Sequence, residues 1–121
     1  MTESHDPQLL KGVLSLLLLA LLAERESYGY ELVQRVRGAG LPGVAEGTVY
    51  PALARMERER RIVARLVRSR SGPARKYYRP TPDGYAALRD GATSWRSLTE
   101  AVTPILARPV PAEPATAAEE D

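Results

Sequence analysis

A mainly helical fold with one small β-hairpin is predicted by three observations on this sequence. Residues 13–23 (VLSLLLLALLA) are apolar round almost the whole circumference of a helix, so that helix must be covered on every side. Residues 62–80 form two alternating, Arg-rich runs around Ser71-Gly72-Pro73-Ala74, the signature of two strands and a turn. Residues 85–105 carry Tyr85, Leu88, Ala92, Trp95, Leu98, Val102 and Ile105 at three- and four-residue steps, one apolar stripe along a long helix.

Taken in order, the first helix is expected over residues 8–24. Its apolar core is eleven residues long, whereas a membrane-spanning helix needs roughly 20, and Lys11 and Arg25 flank it closely. Glu3 and Asp6 replace the basic start that a signal peptide requires. The run therefore reads as a buried helix of a soluble, cytoplasmic protein. A domain of about 100 residues has little material to wrap such a helix, so a partner subunit is the simplest source of the missing cover.

Ser27 is the expected cap of a second helix over residues 28–37, which faces Leu32, Val33 and Val36 inward. GAGLPG (residues 38–43) turns the chain. A third helix over residues 45–60 places Val49, Leu53 and Met56 on one face, with Pro51 near enough to its start to bend rather than break it. Two short helices across a Gly-containing turn are a helix-turn-helix pattern. Strands over residues 62–70 and 75–80 follow, with residues 71–74 as a four-residue turn. Thr81-Pro82-Asp83 then starts the last helix with a cap, a proline at the first helical position and an acid in the first turn. The order α-α-α-β-β-α is a winged helix-turn-helix (residues 1–80) followed by a C-terminal helix for dimerisation (81–107). Residues 108–121 (RPVPAEPATAAEED) are rich in Pro, Ala and acids, and are expected to form a disordered tail.

Charge is unevenly spread. Residues 55–79 hold nine Arg and one Lys against Glu57 and Glu59, a net of +8, while the other seven bases and thirteen acids net −6. A basic segment in an acidic body is the electrostatic footprint of a nucleic-acid-binding face. There is no Cys and a single His, His5, so neither a disulfide framework nor a thiolate or multi-His metal site can be built within one chain. No nucleophile–base arrangement or phosphate loop is present, and Glu57 and Glu59 read as part of a solvated helix surface. The sequence thus points away from an enzyme and calls for no cofactor.

Four motifs in register resemble the PadR family of bacterial transcriptional regulators: Tyr28-Gly29-Tyr30-Glu31-Leu32, Glu46-Gly47-Thr48-Val49-Tyr50-Pro51-Ala52-Leu53, Arg75-Lys76-Tyr77-Tyr78 and Thr81-Pro82-Asp83-Gly84. The similarity covers about residues 8–104. It implies a homodimeric repressor whose first and fourth helices form the dimer interface, in the shorter branch of the family with a single C-terminal helix. Two departures stand out. Ala45 occupies a place where the family usually has a capping side chain, and Arg60-Arg61 replaces the usual acidic residue and glycine at the end of the third helix.

The expected partner is double-stranded DNA carrying a palindromic operator. A recognition helix offers its N-terminal half to the major groove while flanking cations hold phosphates. Glu46, Gly47, Thr48, Tyr50 and Arg55 are the groove-facing candidates, with two alternatives open: Tyr50 packing on the wing, and Thr48 only helping to cap the helix. Arg68, Arg70, Arg75 and Lys76 surround the wing tip at Gly72. Lys11, Tyr28 and Tyr30 are further phosphate candidates. Tyr77 and Tyr78 point to opposite faces of a strand, so at least one belongs to the core. The other class of function the segment allows is an interaction module whose basic wing meets an acidic protein.

Leu14, Leu18, Leu88, Trp95, Leu98 and Val102 are the candidate dimer or effector residues. In some relatives of the family, a tryptophan on the last helix faces its symmetry mate and stacks flat aromatic ligands. Trp95 admits that reading, with a small aromatic effector, and also the simpler one of a dimer-core side chain.

Overall fold

The computed structural model describes residues 6–113. Its elements run α1 (Pro7–Lys11), α2 (Leu14–Glu24), β1 (Ser27–Tyr28), α3 (Gly29–Gly38), α4 (Glu46–Arg58), β2 (Ile62–Ser69), β3 (Gly72–Pro80) and α5 (Pro82–Leu106). The core is built where the apolar faces of α2, α3 and α4 meet. Leu18, Leu32, Val33 and Val49 are fully enclosed, and Ile62 and Tyr78 close the layer from the sheet side. Truncating any of the enclosed leucines to Ala should cost about 2–5 kcal/mol, the lost transfer energy plus the cavity left behind.

The expected first helix is two helices. Asp6 caps α1 by accepting from the Gln8 N–H at 2.8 Å. The ladder then tightens, with the Val13 N–H donating to the Leu10 carbonyl at 3.0 Å, and restarts with Leu17 donating to Val13 at 3.1 Å. Gly12 lies at the break, where its low helix propensity makes an interruption cheap.

The sheet has three strands in the order β1-β3-β2, all antiparallel. The third strand, β1, is only Ser27–Tyr28, paired with Tyr78 and Tyr77. Two residues carry no periodicity, so nothing in the sequence announces it. Ser27 is consequently not the cap of α3. That place is Tyr28, without a side-chain capping bond, while Ser27 is fully buried in the strand.

The hairpin is also tighter than expected. Ser69 pairs with Gly72, so the turn is Arg70-Ser71, and Gly72, Pro73 and Ala74 already belong to β3. The pairing register is irregular between Val67 and Ser69, leaving Arg68 without a paired partner.

α4 ends at Arg58, and the departure at Arg60 has a defined geometry. Arg60 has φ 62°, the left-handed conformation usually given to glycine. The Arg61 N–H donates to the Met56 carbonyl at 2.9 Å and the Arg60 N–H to Glu57 at 3.1 Å. Those paired bonds are the Schellman closure of a helix, here built on an arginine.

α5 starts as expected. Thr81 Oγ1 accepts from the Gly84 N–H at 3.0 Å and donates to the Arg60 carbonyl at 2.7 Å. Gly84 is buried, and a Cβ there would run into the Arg61 carbonyl. α5 crosses α2 closely at Gly91, where an added Cβ would lie 2.6 Å from Leu16 Cδ1. Of the acidic tail, residues 108–113 are described; they are exposed and, past Arg108, without helix or strand. Residues 114–121, like His5, lie outside the described residues.

Candidate nucleic-acid interface

α3, the turn after it and α4 form the helix-turn-helix, and β2 and β3 form a wing beside it. The turn is pinned by Arg37, whose Nε donates to the Val44 carbonyl at 2.8 Å. α4 buries Val49, Ala52, Leu53 and Met56 and therefore presents the opposite face. Glu46, Gly47, Thr48 and Arg55 all lie on that exposed face. Ala45 supplies no side-chain cap; its carbonyl takes the Thr48 and Val49 N–H groups at 3.0 and 3.2 Å. Thr48 makes no side-chain hydrogen bond among the described residues, so its hydroxyl stays available rather than serving as a cap.

A groove of about 550 Å³ runs along this face and brings Lys11 of α1 together with Gly47, Thr48, Arg55 and Arg58. Lys11 is far from α4 in sequence, and the break before α2 places it here.

The wing cations divide into two groups. Arg68 and Arg70 near the tip are exposed and enter no ion pair among the described residues. At the base, Lys76 Nζ donates to Glu57 of α4 at 3.0 and 3.3 Å, which ties the wing to the recognition helix. That hydrogen bond, with help from Tyr78, raises the Lys76 pKa. Arg65 grips both carboxylate oxygens of Glu26 and lies 5.9 Å from the centre of the Tyr77 ring. The same pair pushes the Glu26 carboxyl below its ordinary value. Arg75 stacks on Tyr28, 4.4 Å from the ring centre, and Tyr28 packs edge-on against Tyr77 at 5.3 Å.

Of the tyrosines, Tyr78 is the core member and Tyr77 is half-buried. Tyr30 is exposed, with its hydroxyl accepting from Gln34 at 2.8 Å. Tyr50 lines a cleft of about 450 Å³ with Tyr28, Gly29, Tyr30, Arg75, Lys76 and Tyr78. Burial there, reinforced by the Glu46 charge, raises its pKa.

Sequence reasoning missed Arg35. Its guanidinium donates to Ser27 Oγ at 2.8 Å, the carbonyls of Arg25 and Leu21 at 3.2 and 2.8 Å, and Glu24 at 3.0 Å. It closes the C-terminus of α2, where orphan carbonyls need donors, and fastens α3 to it. One apolar-helix end followed by an inward Arg was the only available signal, and it is a weak one.

The second candidate surface is apolar. Trp95, Leu98, Val102 and Ile105 of α5 are 50%, 57%, 37% and 54% exposed, although they form the helix's continuous stripe. Two apolar hollows, of about 500 and 450 Å³, flank Trp95 and share Leu9, Val13 and Leu16. Leu88 is half-buried and packs against the chain's own core. Leu14 and Leu18 are not available to it. At 3% and 0% exposed they are spent in the chain's own core, because α2 turns that face toward α3 and α4. No helix among the described residues is long and apolar enough to cross a membrane.

An exposed polar helix face, a two-stranded wing and flanking free cations together define a winged helix-turn-helix protein of the DNA-binding kind. The pattern of the PadR-like transcriptional regulator family matches residues 18–90, and the chain belongs to that family. A transcriptional regulator of Mycobacterium tuberculosis is 36% identical over 80 residues, 66% of this chain and 73% of its own. Among solved structures, a PadR-like transcriptional regulator from Bacillus cereus is 38% identical with a TM-score of 0.74, covering 84% of this chain and 99% of its own. A PadR family regulator from Eggerthella lenta is 32% identical with a TM-score of 0.75, over 84% of this chain and 88% of its own. The chain is thus a transcriptional regulator, and its relatives are regulators rather than enzymes.

Proposed function

We propose that the protein is a cytoplasmic homodimeric repressor that binds a palindromic operator. The observation that carries the DNA side is the convergence of Lys11, Thr48, Arg55 and Arg58 on one groove, while Arg68 and Arg70 of the wing stay exposed and in no ion pair among the described residues. α4 enters the major groove through Glu46, Gly47 and Thr48, and Arg55, Arg58 and Lys11 hold phosphates. The wing tip at Arg70 and Gly72 reaches the adjacent backbone or minor groove. Two such surfaces related by a two-fold axis read half-sites about 10 bp apart, or a multiple of that.

The bare stripe of α5 supports the dimer. Four large apolar side chains left open along one helix are surface that a second α5, with α1 and α2, would cover. A small planar aromatic molecule beside Trp95 would then alter the spacing of the two recognition helices. For that to be allosteric relief of repression, the molecule must bind free and DNA-bound dimers with different affinities.

Mobility shift on the DNA upstream of the protein's own gene, across a salt series and with scrambled competitor, tests this. Specific retardation by a dimer with a log–log salt slope of roughly −7, for about four phosphate contacts per subunit, is the expected result. Retention of an acidic protein without any duplex binding at low salt would overturn it in favour of a protein-interaction module.

A further inference from the structure

Gly29 opens α3, a position where alanine would serve the helix better by propensity. Its φ lies outside the left-handed range, so its backbone does not need glycine. Space does. A Cβ at residue 29 would drive into Cε1 of the Tyr50 ring and lie only 3.2 and 3.3 Å from Cζ and Cδ1. The obstacle is the edge of the Tyr50 ring, which is 41% exposed, so an added Cβ would either turn that ring out of its cleft or move α3 away from α4.

The ring itself occupies an informative place. It comes from the fifth residue of α4, soon after the Glu46-Gly47-Thr48 face, yet it lies back across the start of α3. There it lines one cleft with Arg75 and Lys76 of the wing. Arg75 is stacked on Tyr28, and Lys76 is tied to Glu57, so the walls of that cleft are fixed from three elements. Tyr50 is the side chain common to α3, α4 and the wing.

We propose that Gly29 is a positioning residue for DNA binding: by leaving room for Tyr50 against α3 it sets the recognition helix relative to the wing, and it commits Tyr50 to the phosphate side of the interface rather than to base reading. This rests on the DNA-binding function proposed above. The consequence is specific. Tyr50 should strengthen binding to any duplex equally, and Gly29 should matter only while the Tyr50 ring is present.

The test uses the full chain with Gly29→Ala, Tyr50→Ala, the double variant and Tyr50→Phe. Each is measured twice, by thermal unfolding without DNA and by binding to the upstream duplex and a scrambled duplex of the same length. Gly29→Ala should lower the unfolding midpoint by about 5 °C or more. In the Tyr50→Ala background the same change should have almost no effect, since contacting residues couple and independent ones add. Gly29→Ala and Tyr50→Phe should weaken both duplexes by similar factors, about threefold to tenfold, the scale of one ordinary hydrogen bond lost. Additive unfolding effects would overturn the positioning role. A Tyr50→Phe variant that weakens only the upstream duplex would make Tyr50 a base reader and overturn the phosphate-side assignment. If wild type binds neither duplex, the DNA-binding function fails, while the unfolding cycle still decides whether Gly29 exists for Tyr50.

Discussion

Arg35 and Arg70 are the same side chain used in opposite ways. Arg35 spends both terminal nitrogens of its guanidinium on the scaffold, bonding Ser27, two carbonyls and Glu24, with its side chain only 12% exposed. Arg70 sits at the hairpin turn, exposed and in no ion pair among the described residues. Between them lies a graded series: Arg65 bound to Glu26, Lys76 bound to Glu57, then Arg55 and Arg58 open on α4. The lesson is that a count of basic residues measures potential for binding, while the number of protein acceptors already holding each cation measures what remains for DNA.

The sharpest separation comes from Arg35. Arg35→Met should destabilise the fold by about 2–4 kcal/mol, because it strips a buried serine hydroxyl and the end of α2 of their donor. Thermal unfolding reads this, and any DNA left bound by the folded fraction should keep its salt slope. An unchanged midpoint would place Arg35 with the surface arginines.

The opposite result is expected at the tip. Arg68→Ala with Arg70→Ala should leave the unfolding midpoint within error. The salt slope should become shallower by about 0.9 for each phosphate that an arginine no longer neutralises, up to roughly 3.6 for a dimer. Arg55→Ala should behave similarly from the recognition helix. Lys76→Met is the intermediate case. Its ammonium is already held by Glu57, so it should cost affinity through the wing's placement while changing the slope less than Arg70→Ala does. Equal slopes for the two would mean that Lys76 releases Glu57 to take a phosphate.

Much of this was legible from residue spacing, and what was not has physical reasons. The α5 stripe, the Thr81 cap, the core faces of α3 and α4, and the hairpin all follow from periodicity and turn chemistry. The break at Gly12 was hidden because the apolar pattern continues through it. Strand β1 is too short for any pattern, and Ser27 looked like a cap because serine has the same chemistry in both settings. Charge alone marked the basic face, but the partners that occupy Arg65 and Lys76 come from other elements. Glu26 is 39 residues from Arg65 and Glu57 is 19 from Lys76. The Gly29–Tyr50 fit is likewise a property of two elements meeting, which no local reading supplies.

Arg60 sharpens the comparison from the backbone side, with a smaller effect. Its left-handed conformation costs an L-residue roughly 1–2 kcal/mol, while glycine gives back part of that gain through its looser unfolded chain. Arg60→Gly should therefore stabilise the protein by about 0.5–1 kcal/mol, seen as a higher denaturant midpoint. If the same variant binds DNA as well as wild type, Arg60 belongs with the scaffold despite its exposure. If affinity falls while stability rises, the strain is retained for a phosphate contact.

The smallest effect concerns the acids that occupy the scaffold cations. Hydrogen bonds from Arg65 and Arg25 hold the carboxyls of Glu26 and Glu31 below their ordinary values. A carboxyl lowered in the folded state binds its proton more weakly there than in the unfolded chain. Its stabilisation is therefore fully present above the ordinary glutamate value, and is lost as pH falls through the lowered one. Both pairs are largely solvated, so the loss should be modest. Denaturant midpoints of wild type and Glu26→Gln with Glu31→Gln should differ near pH 7 and converge once the pH has fallen below the lowered values of both carboxyls. A constant gap across that range would mean these acids act through packing rather than charge. The distinction between occupied and open cations would then rest on Arg35 and Lys76 alone.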